Sequence, residues 1–248
     1  MNCTTNLLGF EVSTLPVTEI VSSSLLGEKQ LVVNTLNPHS YAEQKQDYEF
    51  KNALLNSDVL IPDGSGMVLA AKFLNSDDID KIAGYDLFFE TMTQLSKTGG
   101  KVFFLGSTET VLKKIVQRAK VDFPKVEVYT LSPPFKKDFD DADLTDFSKK
   151  INDIKADVVF VGLTAPKQEK LIVKLKEFTH VKFLSGIGAV FDFYAGTVKR
   201  PSEIWLKLHL EWLVRLIGEP KRLWRRNFIS TPTFLIDLLK CKIRKDAK

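Results

Sequence analysis

Five short segments of this chain place a carboxylate, hydroxyl, amide or glycine directly after an apolar run, and these residues have the means for chemistry. LVVNTLNPHS supplies Asn34, Thr35 and Asn37, and DVLIPDGSGM supplies Asp63 within Pro-Asp-Gly, followed by a Ser/Gly pair able to begin a helix. FFLGSTE supplies Gly106, Ser107 and Thr108, whose backbone amides can bind phosphate at a helix N-terminus. VFVGLTAPKQEK supplies Thr164, Lys167, Gln168 and Glu169, and FLSGIGAVFDFYAG supplies Gly186, Gly188 and Asp192. Each segment also has a purely structural explanation. Pro-Asp-Gly is a common turn, Ser or Thr after Gly is a common cap, and Asp at a strand end often caps a helix. Five of them on one edge of one sheet mark a ligand site better than any does alone.

Rival signatures are weaker. Gly186-Ile187-Gly188 begins like a dinucleotide fingerprint, but Phe191 stands where the third glycine belongs, and the segment lies late in the chain. There is no G-x-x-x-x-G-K-[ST] loop and no H-E-x-x-H, and His39, His180 and His209 are too scattered to suggest a metal site. Asp78-Ile79-Asp80 matches a bare D-x-D but follows a helical stretch, so it reads as a solvated turn. KKDFDDADLTD reads as an exposed loop and a helix start.

Short apolar runs must position these residues. Residues 30–37, 57–64, 101–107, 125–132, 156–164 and 181–193 are β-branched and aromatic, end in turn-forming residues, and read as buried strands. Several lack polar alternation, the mark of strands covered on both faces. Between them, residues 38–56, 65–75, 84–97, 108–120, 143–154 and 166–178 read as helices. The 108–120 stretch spaces Val111, Ile115 and Ala119 by four, with lysines on the other side. The alternation predicts an α/β fold: a Rossmann-like, doubly wound, mostly parallel sheet, with ligands beyond the carboxyl ends of its strands.

After Arg200-Pro201 strands cease and three helices are expected, over 202–217, 220–229 and 232–243. The expected organisation is a domain over 1–198 and a helical appendage over 199–248. The appendage holds all three tryptophans, Trp205, Trp212 and Trp224, and 13 Lys/Arg against 5 Asp/Glu, a net of +8 in a chain of net +4. Such a segment reads as core packing, as an element for an anionic and partly apolar surface, or as a nucleic-acid patch. Cys3 and Cys241 give neither a disulfide framework nor metal-ligand spacing, which fits a reducing cytoplasm. The first residues lack the pattern of a signal peptide, and no run reaches the roughly 18 to 20 apolar residues of a spanning helix, so any membrane contact is expected to be peripheral.

The segments PDGSGM, IAGYDL, FFLGSTETVL, VGLTAPKQEK, GIGAVFDFYAGTVKRP and LEWLVRLIGEPKRLWRR, in this order, closely resemble the WecG/TagA/CpsF family of bacterial glycosyltransferases, from about residue 8 to residue 229. The resemblance implies transfer of an N-acetylhexosamine, with N-acetylmannosamine first choice, from a UDP-sugar to undecaprenyl-diphosphate-linked N-acetylglucosamine. It further implies inversion at the anomeric carbon, on the inner face of the cytoplasmic membrane, with neither metal nor organic cofactor. It places the catalytic carboxylate on Asp63 and substrate contacts on Thr35, Asn37 and Gln168. The family's C-terminal arginines fall on Arg215, Arg222 and Arg225, which can grip either UDP or the lipid diphosphate. Where the family commonly has Arg before its x-G-x-D-L motif, this chain has Lys81, which keeps the charge but loses the bidentate fork. The expected partners are thus the UDP-sugar donor, the lipid-linked acceptor, an anionic membrane surface and a possible second copy of the chain, with no nucleic acid. A non-catalytic membrane scaffold and a nucleic-acid-binding α/β protein are the alternative readings.

Overall fold

A computed structural model describes residues 3–198, 205, 211–218 and 220–246. Its centre is a six-stranded parallel sheet in the order β4-β3-β8-β7-β5-β6, built from β3 (Leu31–Leu36), β4 (Val59–Pro62), β5 (Gly100–Gly106), β6 (Val126–Leu131), β7 (Val158–Gly162) and β8 (Phe183–Gly186). A hairpin of β1 (Thr4–Leu7) and β2 (Phe10–Ser13) precedes it. The α/β expectation therefore holds, with every neighbouring pair in the main sheet parallel.

The apolar strands are explained by burial on both faces. On β5, Val102 and Phe104 enter one core with Phe88, Phe160, Phe183 and Phe191, while Phe103 and Leu105 enter the other with Val159, Val161, Leu171 and Leu175. Successive side chains point to opposite faces, so a strand covered on both sides has no polar position. The first core is covered by α1 (Val17–Leu26), α5 (Gly84–Thr98), α6 (Glu109–Asp122) and α9 (Val190–Ala195). The second lies beneath α7 (Asp141–Asp153) and α8 (Lys167–Phe178).

A third apolar cluster joins the hairpin to α2 (Pro38–Glu43), α3 (Tyr48–Leu55) and α4 (Ser65–Asn75). The C-terminal stretch takes part in it. That stretch consists of α10 (Glu211–Gly218), α11 (Pro220–Arg225), a π-helical turn (Arg226–Ser230) and α12 (Thr231–Asp246). Phe234 and Leu238 of α12 are buried in the cluster, and the Phe234 ring meets Tyr41 edge-on at 5.4 Å. The last helix thus packs as part of the body, and a division near residue 198 is a proposal about chain organisation rather than a gap in the packing.

Several boundaries differ from the sequence reading. The run 181–193 is a four-residue strand followed by a Gly-containing turn and α9, not one strand. The run 38–56 is two helices, because the Asp47 side chain accepts from Phe50 N and starts a new one. Pro232 interrupts nothing, since it falls in the first turn of α12, where its missing N–H is harmless.

Candidate active site

Strand register brings the first two candidates together. In the β3–β4 ladder Thr35 pairs with Ile61 and Leu36 with Pro62, so Asn37 and Asp63 leave the sheet side by side. Asp63 N donates to Leu36 O at 2.9 Å, continuing the ladder by one rung. Gly64 follows with φ +92°, a conformation that L side chains rarely adopt, and turns the chain into α4 directly behind the carboxylate.

Asn37 is also the cap of α2. Its Oδ1 accepts from His39 N and Ser40 N, both at 3.0 Å, which fixes the amide flip. The remaining Nδ2 donates to Asp63 Oδ2 at 3.1 Å. A helix cap therefore doubles as the orienting group of the carboxylate.

Two cavities open here. The smaller, about 180 Å³, is lined by Thr35, Asn37, Asp63, Gln168, Gly186 and Gly188, with Tyr85 and Arg226 among the rest. The larger, about 530 Å³, is bounded by Pro38, His39 and Lys81 of the body and by Leu213, Leu216, Leu223 and Phe228 of the tail. Asp63 and Arg226 line both. The first cavity is rich in polar and backbone groups, while the second has a leucine-rich wall. They lie beyond the carboxyl ends of β3, β4 and β8, the position where open α/β sheets bind ligands.

Gln168, in the first turn of α8, is 6 % exposed and its amide lies against Gly186. A Cβ on Gly186 would come within 2.9 Å of the Gln168 amide carbon and nitrogen, so only glycine permits this approach. Glu169 beside it is fully buried, and burial pushes its carboxyl up to about 7, opposed by the hydrogen bond from Gln168. His39 is pushed the other way: burial, then the Arg226 charge, lower its pKa and favour the neutral ring. Its Nδ1 lies 2.9 Å from Ser230 Oγ, tying α2 to the π-helical turn.

Of the eight sequence-stated site residues, Thr35, Asn37, Asp63, Lys81 and Gln168 line one or both cavities. Arg225 lines neither; it is exposed, with Nε 3.9 Å from Glu43 Oε1. Arg215 and Arg222 lie on α10 and α11, but their side chains fall outside the described residues. Some strand-end candidates serve structure. Asn34 is fully buried, donating to Ser57 Oγ and accepting from Gly186 N. Thr108 caps α6, Asp192 accepts from Thr197 Oγ1, and Lys167 reaches the Phe139 ring.

The sequence reading did not choose His39 or Arg226 as site residues. His39 follows a strand end in the same way as the chosen residues, a signal that was present. Arg226 stands one position from Arg225, and which of two adjacent arginines on a helix faces a cavity depends on the π-helical turn that begins at Arg226.

Comparison with known proteins identifies the relatives of this chain. The model of the glycosyl transferase WecG/TagA/CpsF family matches residues 5–248. An N-acetylglucosaminyldiphosphoundecaprenol N-acetyl-beta-D-mannosaminyltransferase of Bacillus spizizenii strain W23 is 32 % identical over 224 residues, covering 90 % of this chain and 84 % of the relative. Proteins of the same name from Bacillus subtilis strain 168 and Staphylococcus aureus strain MRSA252 are 31 % and 29 % identical. They cover 84 % and 86 % of this chain, and 79 % and 81 % of their own lengths. By the extent of the family match and the likeness to these relatives, the chain belongs to the WecG/TagA/CpsF family of glycosyltransferases.

Proposed function

We propose that the protein transfers N-acetylmannosamine from a UDP-sugar to undecaprenyl-diphosphate-linked N-acetylglucosamine, with inversion and with Asp63 as the base. The names of the relatives state this sugar and this acceptor for those proteins. The observation that carries the reading is the position of Asp63 on the wall common to a polar cavity and an apolar-walled one. The polar cavity suits the sugar nucleotide and the larger one suits the lipid-linked acceptor.

The acceptor hydroxyl gives its proton to an Asp63 carboxylate oxygen as its own oxygen bonds to the anomeric carbon. The bond from that carbon to the UDP oxygen breaks, and its electron pair leaves with the diphosphate. A base so placed contributes roughly 10² to 10⁴ in rate. Asn37 Nδ2 donates to Asp63 Oδ2 and so orients the carboxylate that takes the acceptor proton. Arg226 lines both cavities and Lys81 the larger one, so these cations are placed to stabilise the developing negative charge.

No helix among the described residues is long and apolar enough to cross a membrane. The surface proposed to meet the membrane is the outer side of α12. Leu235, Ile236, Leu239 and Ile243 are all exposed there and, at about 100° per residue, span an arc of roughly 100° opposite buried Phe234 and Leu238. Lys242 flanks one side of the arc, and Lys240 and Arg244 the other. An apolar strip edged by cations suits an anionic lipid surface, each nearby Lys or Arg contributing about 1 kcal/mol.

A donor panel offered to the purified protein with one synthetic polyprenyl-diphosphate-GlcNAc acceptor tests the transfer, with the product identified by mass. No product from any UDP-N-acetylhexosamine overturns the reading. Flotation with anionic and neutral vesicles tests the surface: binding to anionic vesicles that Ile236→Glu with Leu239→Glu abolishes is expected. Vesicle-independent dimerisation lost in the same variant assigns the strip to a second copy instead.

A further inference from the structure

Gln168, which lines the smaller cavity, and Glu169 behind it carry polar atoms that are buried and lack a hydrogen-bond partner: Gln168 Oε1 and Glu169 Oε2. Buried polar groups are nearly always paired, and an orphan bears the full cost of its lost hydration. The pair is nonetheless well ordered by its surroundings. Gln168 Nε2 donates to Glu169 Oε1 at 2.9 Å, and the amide lies against the backbone of Gly186 with no room for a Cβ between them. Gln168 Oε1 lies 3.5 Å from where a Cβ on Gly188 would stand, and both residues line the cavity.

We propose that Glu169 is a positioning residue that locks the Gln168 amide in one orientation, so that Gln168 meets the transferred sugar as an acceptor for a hydroxyl or acetamido N–H. The inference rests on the sugar-transfer reading above and adds to it which atom of Gln168 is used and what holds it there. Above its pKa of about 7 the Glu169 carboxylate is ionised and has acceptors only, so it pairs with the amide nitrogen and repels the amide oxygen. The reversed amide would set two acceptors 2.9 Å apart beside Gly186. A glutamine at 169 would impose no such choice, because an amide pairs with an amide in either sense. The orphaned Oε1 then has a function: the sugar supplies the donor that the protein withholds. A ligand group lacking that donor leaves the oxygen unpaired, which is how polar sites discriminate. Gln168 would touch the sugar, whereas Glu169 acts only through Gln168.

A double-mutant cycle read by calorimetry tests this without turnover. At a pH above the Glu169 pKa of about 7, wild type, Gln168→Ala, Glu169→Gln and the double variant are titrated with UDP-N-acetylmannosamine and, separately, with UDP, and each is melted to verify folding. Glu169→Gln is expected to weaken the UDP-sugar about tenfold, or 1.4 kcal/mol, while UDP binding stays within twofold. In the Gln168→Ala background the same change is expected to do nothing further. Equal losses in both backgrounds, or a loss shared by UDP, overturn the proposal. Glu169→Asp keeps an acceptor-only group and is expected to bind the UDP-sugar more tightly than Glu169→Gln; the reverse order also overturns it. Wild-type protein that fails to bind UDP-N-acetylmannosamine removes the transfer reading and this inference together, whereas binding without coupling removes this inference alone.

Discussion

Asn37 donates its side-chain amide to Asp63 at 3.1 Å while its carbonyl oxygen caps α2, so one side chain fixes both the helix start and the carboxylate. The two roles are separable. Serine can cap but cannot reach the carboxylate with an amide. Asn37→Ser should therefore keep the melting temperature within a few degrees and lower kcat about tenfold, and Asn37→Ala should add a cap loss of about 1 kcal/mol. Steady-state kinetics beside thermal melts of both variants check this.

Adjacent arginines should behave differently. Arg226 lines both cavities, whereas exposed Arg225 reaches a half-buried Glu43. Arg226→Ala should cost about 10² in kcat, the scale of removing one stabilising group from a developing anion. Arg225→Ala should change turnover less than about threefold, because exposed ion pairs contribute little. Single-site kinetics on the two variants decide it.

The close approach at Gly186 makes a sharp prediction. Gly186→Ala puts a methyl within 2.9 Å of the Gln168 amide, which must move. Activity should fall by at least about tenfold, because a small misplacement of a positioning group is costly. In the Gln168→Ala background, where the obstructed amide is absent, the further loss should be small.

The last helix should be needed for stability. Phe234→Ala removes a ring that is 1 % exposed and packed on Tyr41, a change expected to cost about 3 to 5 kcal/mol. Urea unfolding measures it. Removal of residues 231–246 should expose the third apolar cluster and lower the melting temperature, so lost activity in such a truncation would not by itself implicate the tail in chemistry.

Burial of Glu169 sets a pH dependence. Its folded pKa, about 7, lies above the ordinary 4.5, so the native state holds this proton over a window in which the unfolded chain has lost it. The contribution is present in full below 4.5 and is lost as the pH rises through about 7. Thermal melts of wild type should show this component of stability falling across that window. The Glu169→Gln profile should lack it.

Much of the fold was legible because its strands announce themselves. Val158 to Val161 and Val102 to Leu105 are apolar at every position, which only a strand covered on both faces requires in so short a run. The same rule misled at 181–193, since a short buried helix after a glycine turn is as apolar as a strand. The hairpin and α1 escaped notice because the hairpin strands interleave polar with apolar residues instead of running apolar, and α1 carries under three turns of pattern. At the site, Asp63, Asn37, Thr35 and Gln168 were marked by their place after apolar runs. The Asn37–Asp63 bond was not, because it depends on the β3–β4 register, and no local pattern encodes which strands pair. Arg226 was hidden behind Arg225 for want of the helical phase.

The most direct test of the account is Asp63→Asn, assayed for transfer from UDP-N-acetylmannosamine to polyprenyl-diphosphate-GlcNAc, with UDP affinity measured alongside. The side chain keeps its size, so UDP should bind as in wild type and the protein should melt normally, while turnover falls by roughly 10² to 10⁴. Turnover equal to wild type in a folded Asp63→Asn protein would contradict the assignment of Asp63 as the base.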